Sequence, residues 1–196
     1  MFNIKDFAAV AGLLLLTACG GAPEVGRDGV DAMTEALMQM NPNVRKDEAA
    51  RAAAISYRHT AELAQVYEIT DPPIVHNTKV NMGLKPRGLC RHWAEDMEKR
   101  LKAENFQTLE IHRAIATPAN PLRLEHSTAI ISAKGDDMFS GVVVDPWREG
   151  GKLTWTPTKA DPDYAWRPRE EVMAEKRAKL RRRQHLDATP YRKNFN

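Results

Sequence analysis

The spacing of apolar residues changes once along this chain, and that change restricts the folds that the chain can adopt. Before about residue 105, apolar side chains recur every three or four positions, as Met33, Leu37 and Met40 do, which is typical of amphipathic helices. Apolar or alternating runs of strand length follow at 108–116, 124–133, 141–147 and 152–155. Helices followed by strands that short turns connect predict an α+β domain with an antiparallel sheet.

Two long helices are predicted before the strands, with a connection between them. The alanine-rich stretch from an Asn41 cap to about Tyr67 is expected to form one helix, with Pro42 in its first turn. Prolines and glycines in residues 69–88 predict an irregular or extended connection. The second helix, which should pack on the sheet, is predicted from apolar residues four positions apart: Leu89, Trp93, Met97 and Leu101.

The N-terminus has the layout of an export signal. One lysine precedes an apolar run from residue 7 to 16, which is too short to span a bilayer, and small residues lead to Cys19. The sequence LTAC at 16–19 resembles the lipobox of bacterial lipoproteins, in which the cysteine receives a diacylglyceryl group and becomes the new N-terminus. We therefore predict a signal peptide over 1–18 and a lipidated tether over 19–29. A signal-anchor helix is the alternative.

The lipobox resemblance implies the bacterial cell envelope, where acyl chains on Cys19 would hold the protein on a membrane. Gly20 follows the cysteine where an aspartate could stand, which implies the outer membrane facing the periplasm, with the inner membrane as the alternative. Cysteines of exported proteins usually form disulfides. Because Cys19 is the only other cysteine, Cys90 is predicted to be a free thiol.

Cys90 stands at the predicted start of the second helix, in the segment RGLCRHWA. Unpaired backbone N–H groups at a helix N-terminus favour a thiolate, and the nearby Lys85 and Arg87 add to this effect. The pattern therefore indicates a reactive cysteine. A buried, unreactive cysteine on the Leu89 and Trp93 side of the helix is the alternative.

Two residues on consecutive predicted strands complete a candidate catalytic set. His126, at the beginning of an apolar strand, is a candidate base, and Asp145, at the end of the next strand, is a candidate to orient the imidazole. A symmetric hairpin centred on residues 135–136 would place the two opposite each other. A strand histidine and a turn aspartate before a proline are the ordinary structural alternatives.

This order of Cys, His and Asp resembles the transglutaminase-like branch of the papain-type cysteine enzymes. The resemblance depends on the segments RGLCRHWA, EHSTAII and VVVDPW, and it covers roughly residues 75–156. It implies a papain-like α+β core, which we expect over residues 30–166. The implied roles are nucleophile for Cys90, general base and acid for His126, and orienting residue for Asp145.

Other parts of the expected site follow from the same resemblance. The Cys90 backbone N–H would be one oxyanion donor. Asn77 and Asn81 are the candidates for a second donor. Trp147 is first of all expected to be a core or sheet residue, and its position next to Asp145 and Pro146 also makes it a candidate for the substrate groove. No cofactor is expected. A metal site is not expected either, because His92 and Glu95 lack a second pair of ligands.

The implied reaction is acyl transfer through a thioester. With water as the acceptor, the protein would be a lipid-anchored periplasmic thiol hydrolase, a cysteine peptidase or amidase that cleaves peptide or isopeptide amides of the cell envelope. With an amine as the acceptor, it would cross-link proteins. The competing class is a non-enzymatic envelope scaffold or binding lipoprotein that retains the fold.

The C-terminal residues 167–196 are strongly basic, with ten Lys or Arg against four acidic residues, although the whole chain carries only +3. Residues 168–186 predict a solvated helix with glutamates in its first turn and arginines in its last. Export argues against nucleic acid as a partner. Anionic lipid, lipopolysaccharide or an acidic protein surface remain, and a charged solubilising helix without a partner is the alternative.

Overall fold

The structure is a computed structural model that describes residues 27–117 and 124–188, with side chains to residue 184. The predicted signal peptide (1–18), Cys19 and the tether as far as residue 26 lie outside the described residues. Across the two described ranges, no helix is both long enough and apolar enough to cross a membrane.

Helices precede strands, as the period of the apolar residues predicts. The first half contains α1 (Arg27–Gln39), α2 (Lys46–Val66), α3 (Pro73–Asn81) and α4 (Cys90–Lys102). The second half contains β1 (Leu109–Ala116), β2 (His126–Ala133), β3 (Val142–Asp145), β4 (Thr154–Pro157), β5 (Arg167–Pro168) and α5 (Arg169–Ala188).

The strands form one antiparallel sheet in the order β4-β3-β2-β1-β5, which confirms the α+β prediction. Every residue of the central strand β2 is buried, because both faces of the sheet are covered. Ile131 packs in the main core with Met97 and Leu101 of α4. Ile130 packs on the opposite face in a cluster that includes Trp166. The helix that begins with Cys90 is thereby fixed against the strands that carry the other candidate residues.

Two predicted helix boundaries are wrong at the N-terminal side. The long helix begins at Lys46 and not at Asn41, because the Asn41 side chain accepts the Asn43 N–H at 3.0 Å and forms a local turn. Helix α1 begins at Arg27, inside the stretch predicted to be a tether. A Cβ on Gly29 would lie 2.7 Å from Tyr57 Oη, so the start of α1 packs closely on α2.

The connection predicted to be irregular contains a helix, α3. Its first residue is Pro73, and Pro72 precedes it with an extended backbone. A proline is tolerated at the first position of a helix because its missing N–H would have no partner there. The prolines therefore stand at the start of this helix, whereas they were predicted to exclude a helix from this connection. The consequence for the site is that Asn77 and Asn81 stand on a helix.

The hairpin between β2 and β3 is not symmetric about residues 135–136. Ile131 pairs with Val142 and Ala129 with Val144, so this register sets Asp145 opposite Thr128. The prediction that His126 and Asp145 lie directly opposite each other is wrong. A 3₁₀ turn at Met138–Ser140 occupies the β3 side of the loop and shifts its centre. The two residues are instead diagonal neighbours, which remain within reach for long side chains.

The basic C-terminal stretch forms the predicted helix, and its beginning is part of the domain. β5 pairs with β1 at the edge of the sheet, through Arg167 with Ile115. Val172 in the first turns of α5 is 2% exposed. From Ala174 to Gln184 nearly every side chain is exposed, so this part of the helix is solvated as predicted.

Candidate active site

Cys90 is the first residue of α4, and a glycine turn determines where it stands. Gly88 has a φ of +123°, a conformation that residues with a Cβ rarely adopt. A Cβ there would also collide with Nε2 of the buried His76 and lie 2.6 Å from its Cδ2. Nε2 of His76 donates to the Arg87 carbonyl at 2.8 Å, and Trp93 Nε1 donates to the Gly88 carbonyl at 3.0 Å. The turn before Cys90 is therefore held on both sides.

The Cys90 thiol is half-buried and faces a cleft. Its Sγ lies 3.8 Å from the carbonyl oxygen of Glu125, the residue before His126. Because Cys90 and Arg91 belong to the first turn of α4, their backbone N–H groups have no acceptor inside the helix. These N–H groups and the positive end of the helix dipole suit a negative charge next to the sulfur.

His126 and Asp145 form a buried hydrogen-bonded pair. Nε2 of His126 donates to Oδ2 of Asp145 at 2.6 Å, and each side chain is 1% exposed. Because a carboxylate only accepts hydrogen bonds, this contact identifies Nε2 as a protonated nitrogen. Nδ1, the other ring nitrogen, is buried and makes no hydrogen bond with the described residues.

The pKa of His126 reflects both neighbours. Burial lowers the pKa, but the hydrogen bond to Asp145 and the adjacent Cys90 side chain raise it by more than burial lowers it. The pKa of His126 therefore rises to about 9. The thiol is thus close enough to interact with the imidazole, although it does not form a hydrogen bond of ordinary geometry with Nδ1. A pKa in that range keeps the imidazole protonated at neutral pH.

Three aromatic rings surround the imidazole of His126. Ring centroids lie 4.7 Å away for Trp147, 4.6 Å for Tyr164 and 5.4 Å for Trp166. The sequence pointed to Trp147 as a groove residue, but its side chain is buried in a hydrophobic cluster and does not line the cleft. The other two rings were not predicted from the sequence. Tyr164 and Trp166 follow β4 in a stretch without strand or helix period, so only the path of the chain brings them to the site. The rings keep water from the imidazole and hold its orientation.

Arg148 connects Asp145 to a second buried carboxylate. Its Nε donates to Asp145 Oδ2 at 3.0 Å, and its two terminal nitrogens donate to Asp161 at 2.7 and 3.2 Å. Asp161 has a side chain that is 0% exposed, and it also accepts the Trp166 indole N–H at 2.9 Å. The Arg148 guanidinium lies 4.8 Å from the Tyr164 ring centroid. Arg148 and Asp161 were not predicted from the sequence; the position of Arg148 three residues after Asp145 was the available signal.

These contacts keep the Arg148 guanidinium positively charged and the Asp161 carboxylate negatively charged. Burial lowers the pKa of Arg148, but hydrogen bonding to Asp161 and the charge of Asp145 outweigh this and raise the pKa overall. The guanidinium therefore stays protonated. Burial raises the pKa of Asp161, and its hydrogen bonds from Arg148 and Trp166 outweigh this, so the pKa is lowered. The carboxylate of Asp145 also accepts the backbone N–H groups of Trp147 and Arg148, both at 3.2 Å. Asp145 is thus fixed from several directions.

Asn77 and Asn81 of α3 both line the cleft, but only Asn77 is oriented by a neighbour. The Trp147 indole N–H lies 3.1 Å from Asn77 Oδ1. Because an indole nitrogen can only donate, the amide oxygen must face Trp147 and the amide NH₂ remains free to donate elsewhere. Asn81 is exposed, and its side chain makes no hydrogen bond with the residues that the structure describes. Asn77 is therefore the better oriented donor of the two.

The cleft has a volume of ≈ 730 Å³, and its walls come from α3, α4, β1, the start of β2 and α5. Cys90, His126 and the two asparagines of α3 line it, and Asp145 lies behind His126. Among the residues that the structure describes, no group of three His, Cys, Asp or Glu side chains could hold a metal ion. The predicted Cys, His and Asp are thus brought together, while Cys19 lies outside the described residues.

Comparison of this chain with protein-family models, with curated proteins and with solved structures finds no match.

Proposed function

We propose that this protein is a thiol hydrolase, a cysteine peptidase or amidase that cleaves peptide or isopeptide amides. Cys90 is the nucleophile, His126 the general base and acid, and Asp145 the orienting residue. The observation that carries the proposal is the state of His126: Nε2 donates to the buried Asp145, while Nδ1 has no hydrogen-bond partner among the described residues and the Cys90 thiol adjoins the ring. This division of roles between the two nitrogens is what a thiol–imidazole pair requires.

The first half of the reaction forms an acyl-enzyme. The Cys90 thiolate attacks the carbonyl carbon of the amide, an S–C bond forms, and the carbonyl oxygen becomes an oxyanion. The backbone N–H of Cys90 and the amide NH₂ of Asn77, both on the cleft wall, are the candidate donors for that oxyanion. When the C–N bond breaks, Nδ1–H of His126 gives its proton to the departing amine, which leaves a thioester and a neutral imidazole.

The second half restores the enzyme. Water attacks the thioester carbon, and Nδ1 of His126 accepts a proton from it. The S–C bond then breaks, which releases a carboxylic acid and returns the thiolate and the imidazolium. One water molecule is consumed for each amide cleaved. An amine in place of water would give cross-linking by the same steps.

We extend the proposal to location on the basis of the sequence. The lipobox resemblance at Cys19 supports a lipid anchor in the bacterial envelope, facing the periplasm from the outer membrane. The exposed half of α5 is basic, with Arg177, Lys179 and three consecutive arginines at 181–183, which suits an anionic lipid surface or an acidic protein. Substrates would then be peptides or proteins of the same compartment.

The test is the rate at which iodoacetamide alkylates Cys90, followed by mass spectrometry of the Cys90 peptide from the full chain. We expect His126→Ala to slow alkylation at neutral pH at least tenfold, because the imidazolium that supports the thiolate is lost. His59→Ala is the matched control, since His59 is on α2 and pairs with Glu62 outside the cleft. Equal rates in all three proteins would overturn the proposal and favour the non-enzymatic scaffold.

A further inference from the structure

Two of the three acidic residues that line the cleft are paired with cations of their own. Glu98 binds Arg113 at 3.0 Å and Lys102 at 2.8 Å. Glu125 binds Lys176 of α5 through both carboxylate oxygens at 2.6 Å. The third acid, Glu95, is exposed and lies 4.0 Å from Arg87, which also binds Asp96 at 3.0 Å. Glu98 and Glu125 therefore leave little net negative charge on the cleft wall, and Glu95 shares its cation.

Two arginines on the same walls lack such compensation. Arg91, the residue after Cys90, and Arg169, the first residue of α5, both line the cleft. Neither forms an ion pair with any residue of the described chain; Arg91 makes one side-chain contact, from Nε to His92 Nε2 at 3.4 Å. Both stand in the first turn of a helix, where the helix dipole disfavours a cation. Their placement costs stability, which is a common feature of functional positions.

A third guanidinium lies deeper in the same cleft. The Arg113 side chain is 9% exposed, and its terminal nitrogens contact Glu98, the Ser127 hydroxyl at 3.3 Å and the Arg91 carbonyl at 3.5 Å. Its Nε is buried and has no hydrogen-bond partner among the described residues. A buried donor without a partner is costly, so this part of the wall is suited to receive an acceptor atom.

We infer that the cleft contains an anion subsite formed by Arg91 and Arg169, with Arg113 behind them. The substrate class is then an amide with a carboxylate close to the scissile carbonyl, as in a peptide with an acidic residue or a free carboxyl terminus near the cleavage point. Guanidinium groups match the planar carboxylate and bind it through paired hydrogen bonds. This inference deepens the proposed function and rests on it for turnover, but anion binding beside Cys90 can be measured separately.

The measurement uses two reagents that react identically and differ in charge. Cys90 displaces iodide from iodoacetate or from iodoacetamide, and the rate with iodoacetate is divided by the rate with iodoacetamide. This ratio is then divided by the same ratio for free N-acetylcysteine. We expect this normalised ratio to be raised roughly tenfold by two nearby cations, and to fall toward 1 as salt is added. Arg91→Gln and Arg169→Gln should each lower the ratio severalfold, and the ratio cancels any change in thiolate reactivity that the two reagents share.

Arg177→Gln is the matched control, because Arg177 is exposed on α5 and does not line the cleft. It removes one positive charge from the same helix and should leave the ratio unaltered. A normalised ratio near 1 in the wild-type chain, or a ratio that neither cleft variant changes, would overturn the subsite. Failure of the proposed function has a different result: iodoacetamide alkylation that does not depend on His126, whatever the ratio of the two reagents.

Discussion

His126 Nε2 donates to Asp145 Oδ2 at 2.6 Å, although the two residues are not partners across the sheet. They are offset diagonally, so the bond depends on the reach of both side chains toward each other. The imidazole is further held by rings on its other sides, and the carboxylate by Arg148 and two backbone N–H groups. The pair is therefore a rigid unit, and changes to either member have consequences that can be measured at the other.

Asp145→Asn should lower the pKa of His126 from about 9 toward the ordinary value near 6.5, because the negative charge that supports the imidazolium is removed. The pKa can be followed through the ring proton signals of His126 in an NMR titration. We also expect iodoacetamide alkylation of Cys90 at neutral pH to slow at least tenfold. A His126 pKa that stays near 9 in the variant would show that Asp145 does not determine it.

The pH dependence of stability follows from the same pKa. The value in the folded protein, about 9, lies above the unfolded value near 6.5, so protonation of His126 stabilises the fold. This contribution to the free energy of unfolding, about 3 kcal/mol, is complete below pH 6.5 and is lost as the pH rises through 9.

The midpoint of thermal unfolding should therefore fall more steeply between pH 6.5 and 9 in the wild-type chain than in His126→Gln. His59, a histidine of α2 that lies outside the cleft, supplies the comparison: His59→Gln should keep the wild-type slope. Parallel curves for all three proteins would contradict the assignment of the raised pKa to His126.

Arg148 is predicted to be a positioning residue for Asp145. Arg148→Met leaves Asp161 buried without its cation, and we expect a loss of about 3–5 kcal/mol in the free energy of unfolding. The pKa of His126 should rise above its wild-type value, since a positive charge next to the Asp145 carboxylate is gone. Chemical denaturation and the NMR titration measure the two effects.

Arg148→Lys separates charge from geometry. Lysine keeps the positive charge but cannot bridge two carboxylates with a planar group, so stability should fall by less than in the methionine variant. The His126 pKa should stay close to that of the wild type. A purely structural role for Arg148 would instead lower stability in Arg148→Met without any change in the His126 pKa.

Gly88→Ala should displace the start of α4. The new Cβ would collide with the His76 ring, and the positive φ adds strain of about 1–3 kcal/mol. We expect a lower unfolding midpoint and a changed rate of Cys90 alkylation. Gly135→Ala is the control, because Gly135 also has a positive φ but has nothing within 4 Å of the added Cβ. If both variants alkylate at the wild-type rate, the turn does not position the thiol.

Much of the site could be predicted because it belongs to regular elements. Cys90, His126 and Asp145 each stand at an end of a helix or strand whose period is visible in the sequence. Arg148, Asp161 and Tyr164 could not be found in that way, since they belong to connections whose course depends on tertiary packing. The pairing register of β2 and β3 could not be predicted from the sequence either, because a short 3₁₀ turn inside the loop determines it.

The order in which the site residues occur along the chain has a consequence for when the site can form. Cys90 is in the first half, but the rings of Tyr164 and Trp166 and the cleft residue Met173 come more than seventy positions later. During synthesis, a chain that has emerged only as far as β4 holds the thiol and the histidine without their enclosure. Assembly of the cleft therefore waits for the C-terminal strand and helix.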